Sequence, residues 1–226
     1  DNPHWDLRNA YALFRKSFSL KTQPKRAPLY ITADQSYKLY INGHYICRGP
    51  ARGFQNSWPY DEVDVAKWLK AGKNLIAVRA HNPGFSNFQY IHQGFAGLLI
   101  AAKWGTTSLL SDSSWKCRRQ LGVRTDMVTT SLQLFAQEHI DLRLEDPDWA
   151  SANHDDSTWT SQTVARPWNS LPWYELEARD IPMLSETLIS PKKILGQSHG
   201  QSEANCQTTL NLALTRNSER LSHKAI

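Results

Sequence analysis

The amino-acid sequence predicts an all-β protein, a jelly-roll β-sandwich, on three observations. Apolar residues recur with period two in most readable stretches, the signature of half-buried strands. Turn signals interrupt those stretches at roughly 8- to 12-residue intervals, as in sandwiches and barrels. Between two alternating runs stands Asn42-Gly43, a pair that supplies the positive φ angles a two-residue type I′ hairpin needs.

Taken in order, Phe14, Phe18 and Leu20 alternate with Arg15, Ser17 and Ser19, which assigns the first group to a core and the second to solvent. Leu29, Ile31 and Ala33 repeat the pattern after Pro28. Leu39 and Ile41 alternate with Lys38, Tyr40 and Asn42 and lead into the hairpin turn. Val63 and Val65 mark a further short strand, and residues 66–69 one helical turn closed by Ala71-Gly72. The runs LIAVRA (75–80) and LLIAA (98–102) are continuously apolar but too short for core helices, so they read as buried strands. Two segments, SDSSWK (111–116) and DDSTW (155–159), each set an acidic residue and small hydroxyls before a Trp. We read both as structural corners in which the Asp or Ser side chain closes a turn on its own backbone.

Residues 1–186 are expected to form the sandwich and residues 187–226 a linker followed by the start of a further β unit. Positions 196–209 are polar and rich in Gly, Ser and Gln, and Leu210, Leu212 and Leu214 then restore an alternating pattern.

The net charge of +5 raises the question of a polyanionic partner. Its distribution argues otherwise. Residues 1–136 hold 18 Lys and Arg against 8 Asp and Glu, whereas residues 137–180 hold 3 against 10. A basic body followed by an acidic segment is an internal complement, and no nucleic-acid-binding signature accompanies it. No apolar run is long enough to span a bilayer, so no membrane partner is expected. Cys47, Cys117 and Cys206 are odd in number and far apart, which suits free thiols in a reducing compartment. The opening DNPHWDLRN shows no export signal, and a cytoplasmic location is the expectation.

The search for chemistry yields little that is catalytic. No G-x-S-x-G elbow, H-E-x-x-H pair, paired C-x-x-C or Gly-rich phosphate loop is present. Glu138, His139 and Asp141 in QEHID read as an edge segment rather than as metal ligands. Asp61, Glu62 and Asp64, then Glu145, Asp146 and Asp148, are the carboxylates from which a glycosidase pair would have to be drawn, and acidic residues beside turns are usually solvated.

Aromatic residues are the clear excess, with nine Trp and 11% Phe, Trp and Tyr. Sugars offer C–H faces that stack on rings and hydroxyls that pair with Asn, Gln and Arg, so loops mixing these types suit carbohydrate. Two loops do so, residues 52–60 and 81–92. From them Arg52, Asn56, Trp58, Tyr60, Asn87, Gln89 and Tyr90 are the candidate sugar contacts. The competing assignment has Trp58, Phe85 and Phe88 plugging the end of the sandwich, since large aromatics are usually core residues.

The stretch ITADQSYKLYINGHYICRGPARGFQNSWPYDEVDVAKWLKAGKNLIAVRAHNPGFSNFQYIHQGFAGLLI resembles the N-terminal jelly roll of bacterial α-L-rhamnosidases of glycoside hydrolase family 78, a galactose-binding-like β-sandwich. The resemblance is carried by the hairpin Tyr37 to Gly43, the loop Arg48 to Arg52, and the segments Tyr60 to Val65, Leu69 to Val78 and Phe88 to Ile91. It continues through SDSSWK, QEHIDLR (137–143), DDSTW and LEARDIPMLSE (176–186). CRGP stands where GRGP is usual, and nothing after Glu186 matches. In that family the catalytic acid and base lie in a downstream (α/α)6 barrel, which 226 residues are too few to contain. The resemblance therefore implies a non-catalytic region whose partners are rhamnose-containing glycosides and the catalytic domain of a parent chain. Some related jelly rolls bind rhamnose through calcium, which makes calcium a cofactor to test. Two rival readings are a purely structural module that docks a catalytic barrel, and a complete small hydrolase.

Overall fold

The computed structural model describes residues 8–54, 56–129, 131, 133–160 and 172–193. Two five-stranded sheets face one another. One has the order β4-β3-β6-β1-β9, from strands β1 (Ala10–Leu20), β3 (Ser36–Ile41), β4 (His44–Gly49), β6 (Gly72–Asn82) and β9 (Lys116–Arg119). The other has the order β10-β5-β2-β7-β8, from β2 (Pro28–Asp34), β5 (Trp58–Asp64), β7 (Gly97–Trp104), β8 (Thr107–Leu110) and β10 (Leu176–Ala178). Pairing is antiparallel throughout except between β10 and β5. This is the β-sandwich that the alternation predicts.

The hairpin forms as expected. Asn42 and Gly43 have φ of 51° and 87° between β3 and β4. Asn42 is also held in place by its side chain, which donates to Trp68 O at 2.8 Å and accepts from Leu75 N at 2.8 Å.

The core between the sheets is built from Leu29, Ile31 and Ala33 of β2, Tyr37, Leu39 and Ile41 of β3, Ile76 and Val78 of β6, and Ile100 and Ala102 of β7, with Trp115 closing it. Each fully buried aliphatic or aromatic side chain there contributes roughly 1.5–3 kcal/mol. A second, smaller core explains why LIAVRA is apolar without alternation. Leu75 and Ala77 point away from the first core and meet Leu13, Trp149, Ala150 and Trp159. The segment 146–160 thus covers the outer face of the first sheet, and β6 is buried on both faces.

That cover corrects the assignment of Arg15. Alternation places it in solvent, but it is 2% exposed, because the face opposite Phe14 is itself covered. Its guanidinium donates to Asp156 Oδ2 at 2.9 Å, to Ser151 O at 3.0 Å, and to the carbonyl oxygens of Trp149 and His154. Lys116 reaches the other oxygen of Asp156 at 2.8 Å. With Arg79–Glu138 at 2.8 Å and Arg118–Asp146 at 3.8 Å, these pairs join the basic body to the acidic segment.

Both corners close as read. Asp112 Oδ1 accepts from Ser114 N and Asp155 Oδ1 from Ser157 N, each at 2.9 Å. The two Trp residues go to different cores, Trp115 to the space between the sheets and Trp159 to the outer face.

The chain divides into two units, residues 1–182 and 183–226. The described residues of the second, 183–193, are exposed and form no strand. The expected strand at Leu210, Leu212 and Leu214 lies outside the described residues, as does Cys206. No helix among the described residues is long and apolar enough to cross a membrane.

Candidate functional site

The two aromatic loops separate into buried and exposed parts. β5 begins at Trp58, so residues 58–60 belong to a strand rather than to the loop before it. Trp58 is 3% exposed, its indole N–H donates to Ala33 O at 3.2 Å, and its ring meets that of Tyr90 edge-on at 6.2 Å. Tyr90, also 3% exposed, donates its hydroxyl to Asp34 Oδ1. The structure thus brings these two candidates together, beneath the surface. Tyr60 is half-buried and stands edge-on to Tyr30 at 5.9 Å. Arg52, Asn56 and Gln89 are exposed, and Asn87 is half-buried.

Asp34, at the end of β2, is the centre of the buried part. Its backbone oxygen accepts from Asn82 Nδ2 at 3.2 Å. Its Oδ2 is buried and, among the described residues, meets no donor. Burial pushes the Asp34 carboxyl up to about 7, against the opposing pull of the Tyr90 hydroxyl. On the other side of Tyr90, Phe135 lies 6.3 Å from its ring and 6.2 Å from those of His81 and Phe85. His81 stacks on Tyr11 at 4.2 Å, and burial with the nearby Arg79 charge lowers its pKa to about 4.

Phe85 also lines a cleft of about 740 Å³. One wall is Phe85, Ser86, Asn87 and Phe88, and the other comes from residues 125–129, 131 and 136, with Arg8 and Asn9 completing the lining. The first wall is a set of small hydrogen-bonded turns. Asn82 Oδ1 accepts from Gly84 N, Asn87 Oδ1 from Gln89 N, and Ser86 Oγ from His92 N, at 2.7 to 2.9 Å. Phe88 is 73% exposed on this loop, and among the described residues the buried Nδ2 of Asn87 has no partner. An exposed ring beside amide and hydroxyl side chains suits one face of a sugar.

Of the seven sequence candidates, the cleft is lined by Asn87. Residues 125–129, 131 and 136 and Arg8 were missed because they show no periodicity or motif. Asp34 was missed because sequence alternation says nothing about the burial of a strand-end carboxylate.

Of the carboxylates singled out for glycosidase chemistry, Asp61, Glu62 and Asp64 are engaged by neighbouring groups. Asp61 is 1% exposed, accepts from the Tyr37 hydroxyl and pairs with Arg179, which ties β10 to β5. A Cβ on Gly49 would lie 2.0 Å from Asp61 Oδ2, so glycine is required where CRGP passes this cluster. Glu62 pairs with Arg26 at 3.0 Å, and Asp64 Oδ1 accepts from Ala27 N and Ala66 N. In QEHID, Glu138 pairs with Arg79 and Asp141 with Arg143. Among the described residues no three His, Cys, Asp or Glu side chains converge. Calcium takes six to eight oxygens, and around Asp34 it would find one carboxylate with neutral oxygens, so the described residues assemble no acidic cage for it.

Residues 22–186 match the family model described as the alpha-L-rhamnosidase N-terminal domain. The chain belongs to this family. This rhamnosidase N-terminal domain is 26% identical over 162 residues to an alpha-L-rhamnosidase of Streptomyces avermitilis, covering 71% of the present chain and 13% of that one. Among solved structures it is similar to a GH78 family rhamnosidase of Bacillus sp. GL1, with a TM-score of 0.73 and 33% identity over 78% of the present chain. It is also similar to the alpha-L-rhamnosidase from Dictyoglumus thermophilum, with a TM-score of 0.61 and 29% identity over 77%. The chain spans 19% of each of those two structures. The matched region takes in β2 to β10, both corners and both walls of the cleft.

Proposed function

We propose that this domain is a non-catalytic, carbohydrate-binding part of a rhamnosidase, and that it supports the hydrolysis of terminal rhamnosides by presenting sugar in the cleft between residues 85–88 and 125–129. The observation that carries this reading is the presence, in one cleft, of the exposed Phe88 ring and of Asn87, whose Nδ2 has no partner among the described residues. The cleft volume falls within the roughly 300–1,000 Å³ of small-ligand sites. The engagement of Asp61, Glu62 and Asp64 in the scaffold supports placing the bond-breaking chemistry outside this region.

Titration calorimetry with L-rhamnose on the wild type, Phe88→Ala and Asn87→Ala tests it. Saturable binding weakened at least tenfold by each substitution is expected; binding indifferent to both would move the sugar elsewhere.

The second reading, a module that docks the catalytic domain of a longer chain, is favoured by the exposed Phe54 (77%), Ile91 (59%) and Val128 (73%). It predicts that a folded sample gives no heat with any sugar.

A further inference from the structure

The charged groups of the cleft are not equivalent. Asp126 lines it, but its carboxylate is already held by Arg124, through Nε at 2.9 Å and Nη2 at 2.5 Å. Arg8 lines the same cleft and is exposed, and among the described residues no hydrogen bond or ion pair engages its guanidinium. The charge left available to a ligand is therefore a single cation. It stands in the lining with Asn87 Nδ2, the buried donor without a partner among the described residues, and with the Phe88 ring.

The strongest donor in this arrangement is the Arg8 guanidinium, a planar fork that matches a carboxylate with two parallel N–H···O bonds. We infer that the cleft takes an acidic saccharide, one in which a uronic acid carboxylate pairs with Arg8 while the Asn87 amide donates to a neighbouring hydroxyl and Phe88 covers a C–H face. This rests on the reading that the cleft holds sugar. The cleft volume accommodates more than one sugar ring, so a neutral and an acidic residue can be held together.

The test compares L-rhamnose, a rhamnosyl-glucuronic acid disaccharide and the methyl ester of that disaccharide, by titration calorimetry at pH 7 on the wild type and Arg8→Gln. The free acid is expected to bind roughly tenfold tighter than the ester, the increment of one charge-assisted contact. That advantage should shrink as salt is raised and disappear in Arg8→Gln, where acid and ester bind alike. Equal binding of acid and ester by the wild type, or an advantage that survives Arg8→Gln, overturns the inference while leaving the cleft as a neutral-sugar site. Absence of binding by all three ligands, with a folded sample confirmed by circular dichroism, overturns both.

Discussion

Arg15→Met removes a buried cation while keeping its aliphatic stem, and the structure allows its cost to be worked out. Arg15 is 2% exposed and bonds Asp156 together with the carbonyl oxygens of Trp149, Ser151 and His154. Breaking a buried ion pair by removing one partner costs about 3–5 kcal/mol. Here Asp156 is 22% exposed and keeps Lys116 at 2.8 Å, which places the ion-pair part at the low end. Three carbonyls lose their donor, each worth roughly 0.5–1.5 kcal/mol net. The sum is about 4.5–7.5 kcal/mol, a large part of the roughly 5–15 kcal/mol by which domains are stable. In urea, with a slope of about 2 kcal/mol per M, the midpoint should fall by about 2–4 M. Tryptophan fluorescence reads the transition, since Trp149 and Trp159 lie in the core that Arg15 secures. Asp156→Asn should cost less, because the carbonyl contacts remain. A midpoint within about 0.5 M of wild type would show that Arg15 behaves as a surface charge, worth at most about 1 kcal/mol, and would refute the reasoning.

Two further outcomes follow from the site. Trp58→Ala should cost about 3–5 kcal/mol and lower the melting temperature, whereas Phe88→Ala, at 73% exposure, should stay within about 0.5 kcal/mol; equal melting temperatures would contradict the placement of Trp58. Asp34 and His81 should oppose one another between about pH 4 and 7. The raised Asp34 pKa means that the folded state holds a proton the unfolded chain has released, so stability is lost as pH rises toward 7. The lowered His81 pKa means that the unfolded chain takes up a proton the folded state refuses, so stability is lost as pH falls from 6.5 toward 4. Asp34→Asn should therefore make stability climb more steeply with pH across that window, and His81→Gln should make it decline; denaturation midpoints taken every half pH unit read both slopes.

How much of this was legible differs from element to element. The hairpin at Asn42-Gly43 depends on local backbone preference, and its turn forms where the dipeptide stands. The two corners depend on short side chains reaching their own backbone, which adjacency in sequence guarantees. β10 was invisible, because a three-residue strand is made by its neighbour β5 and by the Asp61–Arg179 pair rather than by its own pattern. The start of β5 was misread for a related reason. Its aromatic residues suit a binding loop as well as a strand, and the partner strands decided between them.

For the site, the sequence identified a wall and missed its opposite. The mixture of Phe, Asn and Gln after β6 is a compositional signal that needs no partner to be read. The other wall, residues 125–129, 131 and 136, and Arg8 are brought there by contacts across the chain, such as Asn9 Nδ2 to Arg124 O at 3.0 Å. What the sequence determined by itself was the class of fold, the family and the chemical flavour of the loops, since period, turn residues and composition act over a few positions. The tertiary structure decided which of those side chains face solvent. Burial of Trp58, Tyr90, Asp34 and Arg15 depends on what lies across a face or beyond a strand end, and no residue carries that information in its own neighbourhood.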